Sequence, residues 1–152
     1  MERMDFVRVK LVKEKSVPYG ARANTPDEAI RLLRNYLEEF AQETVAALYL
    51  SLKNEVLNAS IVSVGTLDSS LIDPRTILQT ALLCNAKYVI IFHNHPSGDP
   101  TPSGYDDAVT ERMEAACEIM GIPLRDHIVV GNGTYYSYFE MGRMKLTGGS
   151  KL

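Results

Sequence analysis

Tyr88-Val89-Ile90-Ile91-Phe92 puts five apolar residues in a row, without the polar alternation of a half-exposed strand. A run of this kind suits a strand covered on both faces, which requires helices above and below a sheet. The surrounding segments supply them. The chain therefore reads as α/β, a mixed β-sheet flanked by helices, without internal repeats or low-complexity linkers.

Residues 5–13 alternate apolar and charged side chains and predict a half-exposed opening strand, ended by a loop through Pro18 and Gly20. Thr25-Pro26-Asp27-Glu28 combines a capping Thr, Pro at the first helical position and Glu at the capping-box position, predicting a helix over 25–41. Strands are expected at 44–52 and 56–65, joined as a hairpin through Lys53-Asn54-Glu55 and closed by Gly65. Asp73 caps a helix over 74–85, and the buried strand over 87–92 follows. After a loop with three prolines and a glycine, Ser103 caps a helix over 104–120, ended by Gly121 and Pro123. Asn132-Gly133 is the turn of a terminal hairpin over 128–139. One domain over 1–142 with a frayed tail over 143–152 accounts for the whole.

The chain has 152 residues, 45% hydrophobic and 23% charged, enough for one domain with its own core. No apolar run approaches the roughly 20 residues that span a bilayer, and Met-Glu-Arg-Met-Asp does not resemble a signal peptide, so a cytoplasmic protein without membrane contact is expected. Cys84 and Cys117 fall on apolar helix faces and read as reduced, buried thiols. A net charge of −3 argues against a large nucleic-acid footprint. Locally, Arg3, Arg8, Lys10, Lys13 and Lys15 enrich the N-terminus in positive charge, which fits a solvated edge strand as well as a binding surface.

His93-Asn94-His95 sits where the buried strand meets the Pro-rich loop, with Ser103 and Asp106 following in the first turn of a helix. Two imidazoles one residue apart on extended backbone point to one side, and Asp106 supplies a third ligand for a catalytic zinc. Three protein ligands leave a tetrahedral zinc one open position, where bound water is acidified from a pKa near 16 to about 7. Each residue also has a plainer reading: the histidines as backbone-bonded loop residues, Asp106 as a helix-dipole partner, Ser103 as a cap. The plainer readings do not explain the combination.

The string His-x-His-x7-Ser-x2-Asp, at His93, His95, Ser103 and Asp106, resembles the signature of the JAMM (JAB/MPN) metalloprotease family. The longer run from His93 through Pro102, with Asp106, Thr110 and Asp126-His127-Ile128, resembles its bacterial RadC-like branch, and the likeness extends from about Thr25 to Gly142. The resemblance implies an MPN fold and one zinc per chain, held by His93, His95, Asp106 and a water. It also implies an upstream glutamate that activates the water. Glu43 is the best match, with Glu38 and Glu39 nearby on the preceding helix. Ser103 would polarise the substrate or hold the developing oxyanion.

The implied activity is zinc-dependent hydrolysis of a peptide or isopeptide bond in an unidentified peptide or protein substrate. A nucleic-acid-linked role is the second reading, carried by the branch's association with DNA repair, although fuller members have an N-terminal helix-hairpin-helix region that this chain is too short to include. A non-catalytic interaction domain is the third, and retention of every ligand counts against it. His127, following Asp126, reads as a hydrogen-bonded structural histidine ahead of one that orients a ligand through its ring, and stays out of the metal set. Tyr135, Tyr136, Tyr138 and Phe139 read as core or cross-strand aromatics ahead of a base-stacking platform.

Overall fold

The structure, a computed structural model, describes residues 1–16, 22–38, 41–64 and 72–145. Its elements in chain order are α1 (Pro26–Glu38), β1 (Thr44–Leu50), β2 (Val56–Val64), α2 (Pro74–Leu83), β3 (Tyr88–Asn94), α3 (Gly104–Met120), β4 (Leu124–Val130) and β5 (Tyr135–Ser137). The strands form one sheet in the order β2-β1-β3-β4-β5, with β3 and β4 parallel and the other pairs antiparallel. This is the expected mixed sheet flanked by helices, consistent with an MPN/JAB fold.

Strand periodicity divides the core into two layers. Ala46, Leu48 and Leu50 of β1, Ile90 and Phe92 of β3, and Ile128 and Val130 of β4 pack against Ala29, Ile30, Leu33 and Leu37 of α1. Val45, Ala47, Tyr49, Val89 and Ile91 point the other way, onto Ile77, Leu78 and Ala81 of α2 and Val109, Met113 and Cys117 of α3. Both layers cover β3, which explains its unbroken apolar run. Each fully buried Leu, Ile or Phe contributes roughly 1.5–3 kcal/mol to this packing.

The helix ends follow local chemistry. Asp73 accepts the Arg75 N–H as N-cap of α2, with Pro74 in the first turn. That helix stops at Leu83, short of the expected residue 85, because Asn85 turns into left-handed backbone at φ 55°. Gly121, at φ 67°, ends α3. The expected extension of α1 to residue 41 does not occur, since Ala41 and Gln42 form a bend leading into β1.

Other expectations need correction. Residues 5–13 form no strand: the backbone over 1–16 has no regular structure, and Phe6, Val7, Val9, Leu11 and Val12 are exposed. Alternation supplies a strand with faces but not with hydrogen-bond partners, and no described strand pairs with this segment. The terminal hairpin begins earlier than residue 128, because β4 starts at Leu124, and β5 is only three residues long. Of the expected tail from 143, the structure describes residues 143–145. Arg143 N–H donates to Tyr138 O, its guanidinium pairs with Asp107 at 2.7 Å, and Lys145 pairs with Glu111. Pro18, Gly20, Glu39, Gly65 and the stretch 146–152 lie outside the described residues.

Cys117 is buried and Cys84 half-buried, neither in a disulfide, and burial pushes the Cys117 thiol up to about 12. No described helix is long and apolar enough to cross a membrane.

Candidate metal centre

The registers of β1 and β3 bring the candidate site together. Val45 pairs with His93, so Glu43, just before β1, arrives beside the end of β3. Asn94 secures that approach: its Oδ1 accepts the Thr44 N–H at 2.6 Å and its Nδ2 donates to Gln42 O at 3.2 Å. The middle residue of His-Asn-His thus pins the backbone on both sides of Glu43.

His95 is held by the loop. Its N–H donates to Val130 O at 2.9 Å, and its Nδ1–H donates to Asp99 O at 2.9 Å. The loop in turn lies against the β4–β5 turn, where Asn132 N–H donates to Gly98 O. Gly131 permits this contact, since a Cβ there would stand 2.4 Å from Gly98 O.

Asp106 enters from α3. Its Oδ2 accepts the Ser103 N–H at 2.8 Å while Ser103 Oγ accepts the Asp106 N–H at 3.1 Å, a reciprocal capping box. The carboxylate then faces both imidazoles, with Oδ1 3.2 Å from His93 Nε2 and Oδ2 3.1 Å from His95 Nε2. The two Nε2 atoms are 2.9 Å apart, and Glu43 Oε1 lies 3.9 Å from His93 Nε2. One ligand atom from each of Glu43, His93, His95 and Asp106 falls within 4.8 Å of all the others. The His93 and Asp106 side chains are buried, whereas that of Glu43 is 45% exposed, at the open rim of the cluster.

The donor set fits a cation. His95 spends its Nδ1 proton on Asp99, so in its neutral form Nε2 presents a lone pair to His93 Nε2 and to a carboxylate. Converging lone pairs need a positive charge among them, either a proton or a metal ion. Protonation behaviour agrees. The hydrogen bond to Asp106 holds His95 above the ordinary imidazole range. Burial pushes Asp106 up, but bonds from His93, His95 and Ser103 together hold it well below the usual carboxylate range. Two nitrogens and carboxylate oxygen at spacings near 3 Å suit zinc, whose ligands stand about 2.0–2.2 Å from the ion.

All the residues expected in the metal set therefore meet, and Glu43 meets them. Ser103 lies at the first turn of α3 as the expected cap. Because its oxygen accepts the Asp106 N–H, its hydroxyl proton remains available to a further acceptor.

His127 is more closely involved than the sequence suggested. It is not among the clustered ligands, but its Nε2 is 2.7 Å from His93 Nδ1 and its Nδ1 is 2.6 Å from Thr110 Oγ1. Burial keeps His127 well below the ordinary imidazole range, hence neutral. Tyr138 is buried and stacks on it, with ring centroids 5.0 Å apart and planes 5° from parallel. The other terminal aromatics divide: Tyr135 and Tyr136 are half-buried and Phe139 is exposed. The signal for this role is Asp126-His127 directly before the apolar Ile128-Val129-Val130 run, since buried polar residues are the informative exceptions. Asn94 gave no such signal.

Comparison with known proteins agrees with this architecture. The profile of the RadC-like JAB domain matches residues 23–143. A UPF0758 protein of Methanosarcina mazei is 37% identical over 124 residues, covering 82% of this chain and 54% of the relative. UPF0758 proteins of Shouchella clausii and Streptococcus gordonii are 41% and 40% identical, covering 78% and 80% of this chain and 52% and 54% of their own lengths. The chain thus spans about half the length of these curated relatives. With the domain profile covering both layers of the core and the cluster of Glu43, His93, His95 and Asp106, the chain belongs to the RadC-like JAB family.

Proposed function

We propose that this chain is a zinc-dependent hydrolase of the JAMM type that cleaves a peptide or isopeptide bond. The observation that carries the reading is the convergence of Glu43, His93, His95 and Asp106 within 4.8 Å. His93, His95 and Asp106 would hold one zinc ion. Zinc, when bound, supplies a positive charge that acidifies water and polarises a carbonyl.

Glu43 is suited to the proton work. Less buried than the other three and at the rim, its carboxylate takes a proton from the attacking water and returns it to the departing amine. The water oxygen bonds to the carbonyl carbon, the C–N bond breaks, and a carboxylate and an amine leave. Ser103 donates its hydroxyl proton to the carbonyl oxygen as negative charge develops there, a contribution typically worth about 3–4 kcal/mol of barrier. Asn94 keeps Glu43 in reach by fixing the backbone around it. The reading places the protein in the cytoplasm, with a peptide or protein as substrate.

The test is cleavage of a peptide and isopeptide library by zinc-loaded protein, with and without chelator. Chelator-sensitive cleavage that Glu43→Gln abolishes while zinc is retained supports the reading. Cleavage that persists undiminished in Glu43→Gln refutes Glu43 as the proton carrier.

A further inference from the structure

The buried side chains behind His93 form a directed hydrogen-bond relay, and its direction follows from the one member that has no choice. Asp106 O is a carbonyl and only accepts, so the Thr110 hydroxyl proton points to it across 2.8 Å, one helical turn back along α3. Thr110 Oγ1 is then the acceptor for His127, which must carry its proton on Nδ1, 2.6 Å away. His127 is 1% exposed and its two ring nitrogens face a hydroxyl and an imidazole, with no carboxylate to hold a second proton, so the proton on Nδ1 leaves a lone pair on Nε2. That lone pair faces His93 Nδ1 at 2.7 Å, so His93 holds its proton on Nδ1 and leaves Nε2 bare.

The geometry points to Thr110 and His127 as positioning residues that lock His93 in the Nδ1–H tautomer and so present its Nε2 lone pair to the metal. The relay starts at the backbone of one ligand, Asp106, and ends at the ring of another, coupling α3, β4 and β3 at a single point. Orientation of a ligating imidazole through its second nitrogen commonly uses a carboxylate or a carbonyl. Here a second, buried imidazole does it. The inference rests on reading His93 as a metal ligand, and two measurements separate the claims.

The first is the nitrogen-15 NMR of the histidine rings in the wild-type protein, metal-free and zinc-loaded. A His127 proton on Nδ1, with Nε2 unprotonated, is expected in both states; a proton on His127 Nε2 overturns the relay whether or not zinc binds. The second is zinc affinity by chelator competition for His127→Gln, His127→Phe and Thr110→Val. Gln keeps an acceptor toward His93 and a donor toward Thr110, whereas Phe keeps only the ring stacked on Tyr138. The relay therefore predicts that Gln stays near wild type while Phe loses about 10–100-fold and Thr110→Val about tenfold. A purely structural His127 predicts the reverse order, with Phe the better substitute, and that result overturns the proposal. Wild-type protein that binds no zinc refutes the metal reading, and the NMR measurement still judges the tautomer lock.

Discussion

Phe92 and His93 are neighbours on β3 and point into opposite layers of the molecule. Phe92 enters the α1 layer, among Ile30, Leu33, Leu37, Leu48 and Ile128. His93 enters the α3 layer, where Val89 and Ile91 are apolar but the strand end meets Asp106, Thr110 and His127. The α1 layer holds the fold chiefly by packing, with Asp126 as a buried polar exception bonded to Ser137 and Phe139. The other gives up apolar packing at its upper end to bury polar groups, which is tolerable because the groups satisfy one another. The strand's two-residue period thus turns His93 toward the polar cluster and its neighbour Phe92 into apolar packing.

The largest effect on stability is expected from Phe92→Ala, which removes a fully buried ring and costs about 3–5 kcal/mol in denaturant unfolding. Zinc affinity of the remaining folded protein should stay close to wild type, and a collapse of affinity would erase the separation of layers. His93→Ala should do the opposite, with zinc binding lost at a smaller cost to metal-free stability.

Two buried aspartates sharpen the contrast. Asp106 is held low by its imidazole partners, whereas Asp126, one residue before His127 and so on the other side of β4, is pushed up to about 7 by burial despite bonds from Ser137 and Phe139. A raised folded pKa means that the native state favours the protonated form. Its stabilising contribution is full below the ordinary value of 3.8 and is lost as pH rises to about 7. Urea unfolding should therefore show wild type losing stability relative to Asp126→Asn across that window. A difference that does not vary with pH would show that Asp126 is ionised in the fold.

Asn94→Ala should cost about 1–3 kcal/mol, because it leaves the buried Thr44 N–H without its acceptor. If Asn94 serves Glu43, turnover falls while zinc affinity holds; equal loss of both would instead place Asn94 in support of the ligands. Ser103→Ala has the smallest expected effect on stability, about 1 kcal/mol for a lost helix cap. A larger fall in turnover than in stability would reveal the separate use of its hydroxyl proton.

What the sequence made legible was chiefly local. The caps at Asp73 and Ser103, the stop at Gly121 and the covered β3 depend on residues a few positions apart. The clustering of His93, His95 and Asp106 was readable because they sit at fixed spacing across one strand end and one helix start. Residues whose meaning comes from register stayed hidden. His127 reaches His93 only because β4 runs parallel beside β3, and Thr110 reaches His127 only because α3 crosses that pair. Asn94 acts on a segment some fifty residues earlier, through the β1–β3 pairing. The alternation over 5–13 misled for the same reason, since a face pattern carries no information about whether an edge is there to receive it.

Zinc stoichiometry and affinity, measured on the purified wild-type chain beside Glu43→Gln and the double variant His95→Ala with Asp106→Ala, test the central claim most directly. The account predicts one zinc per chain in wild type, the same in Glu43→Gln, and none at comparable affinity in the double variant. Full occupancy in the double variant, or no zinc in the wild type, would contradict it.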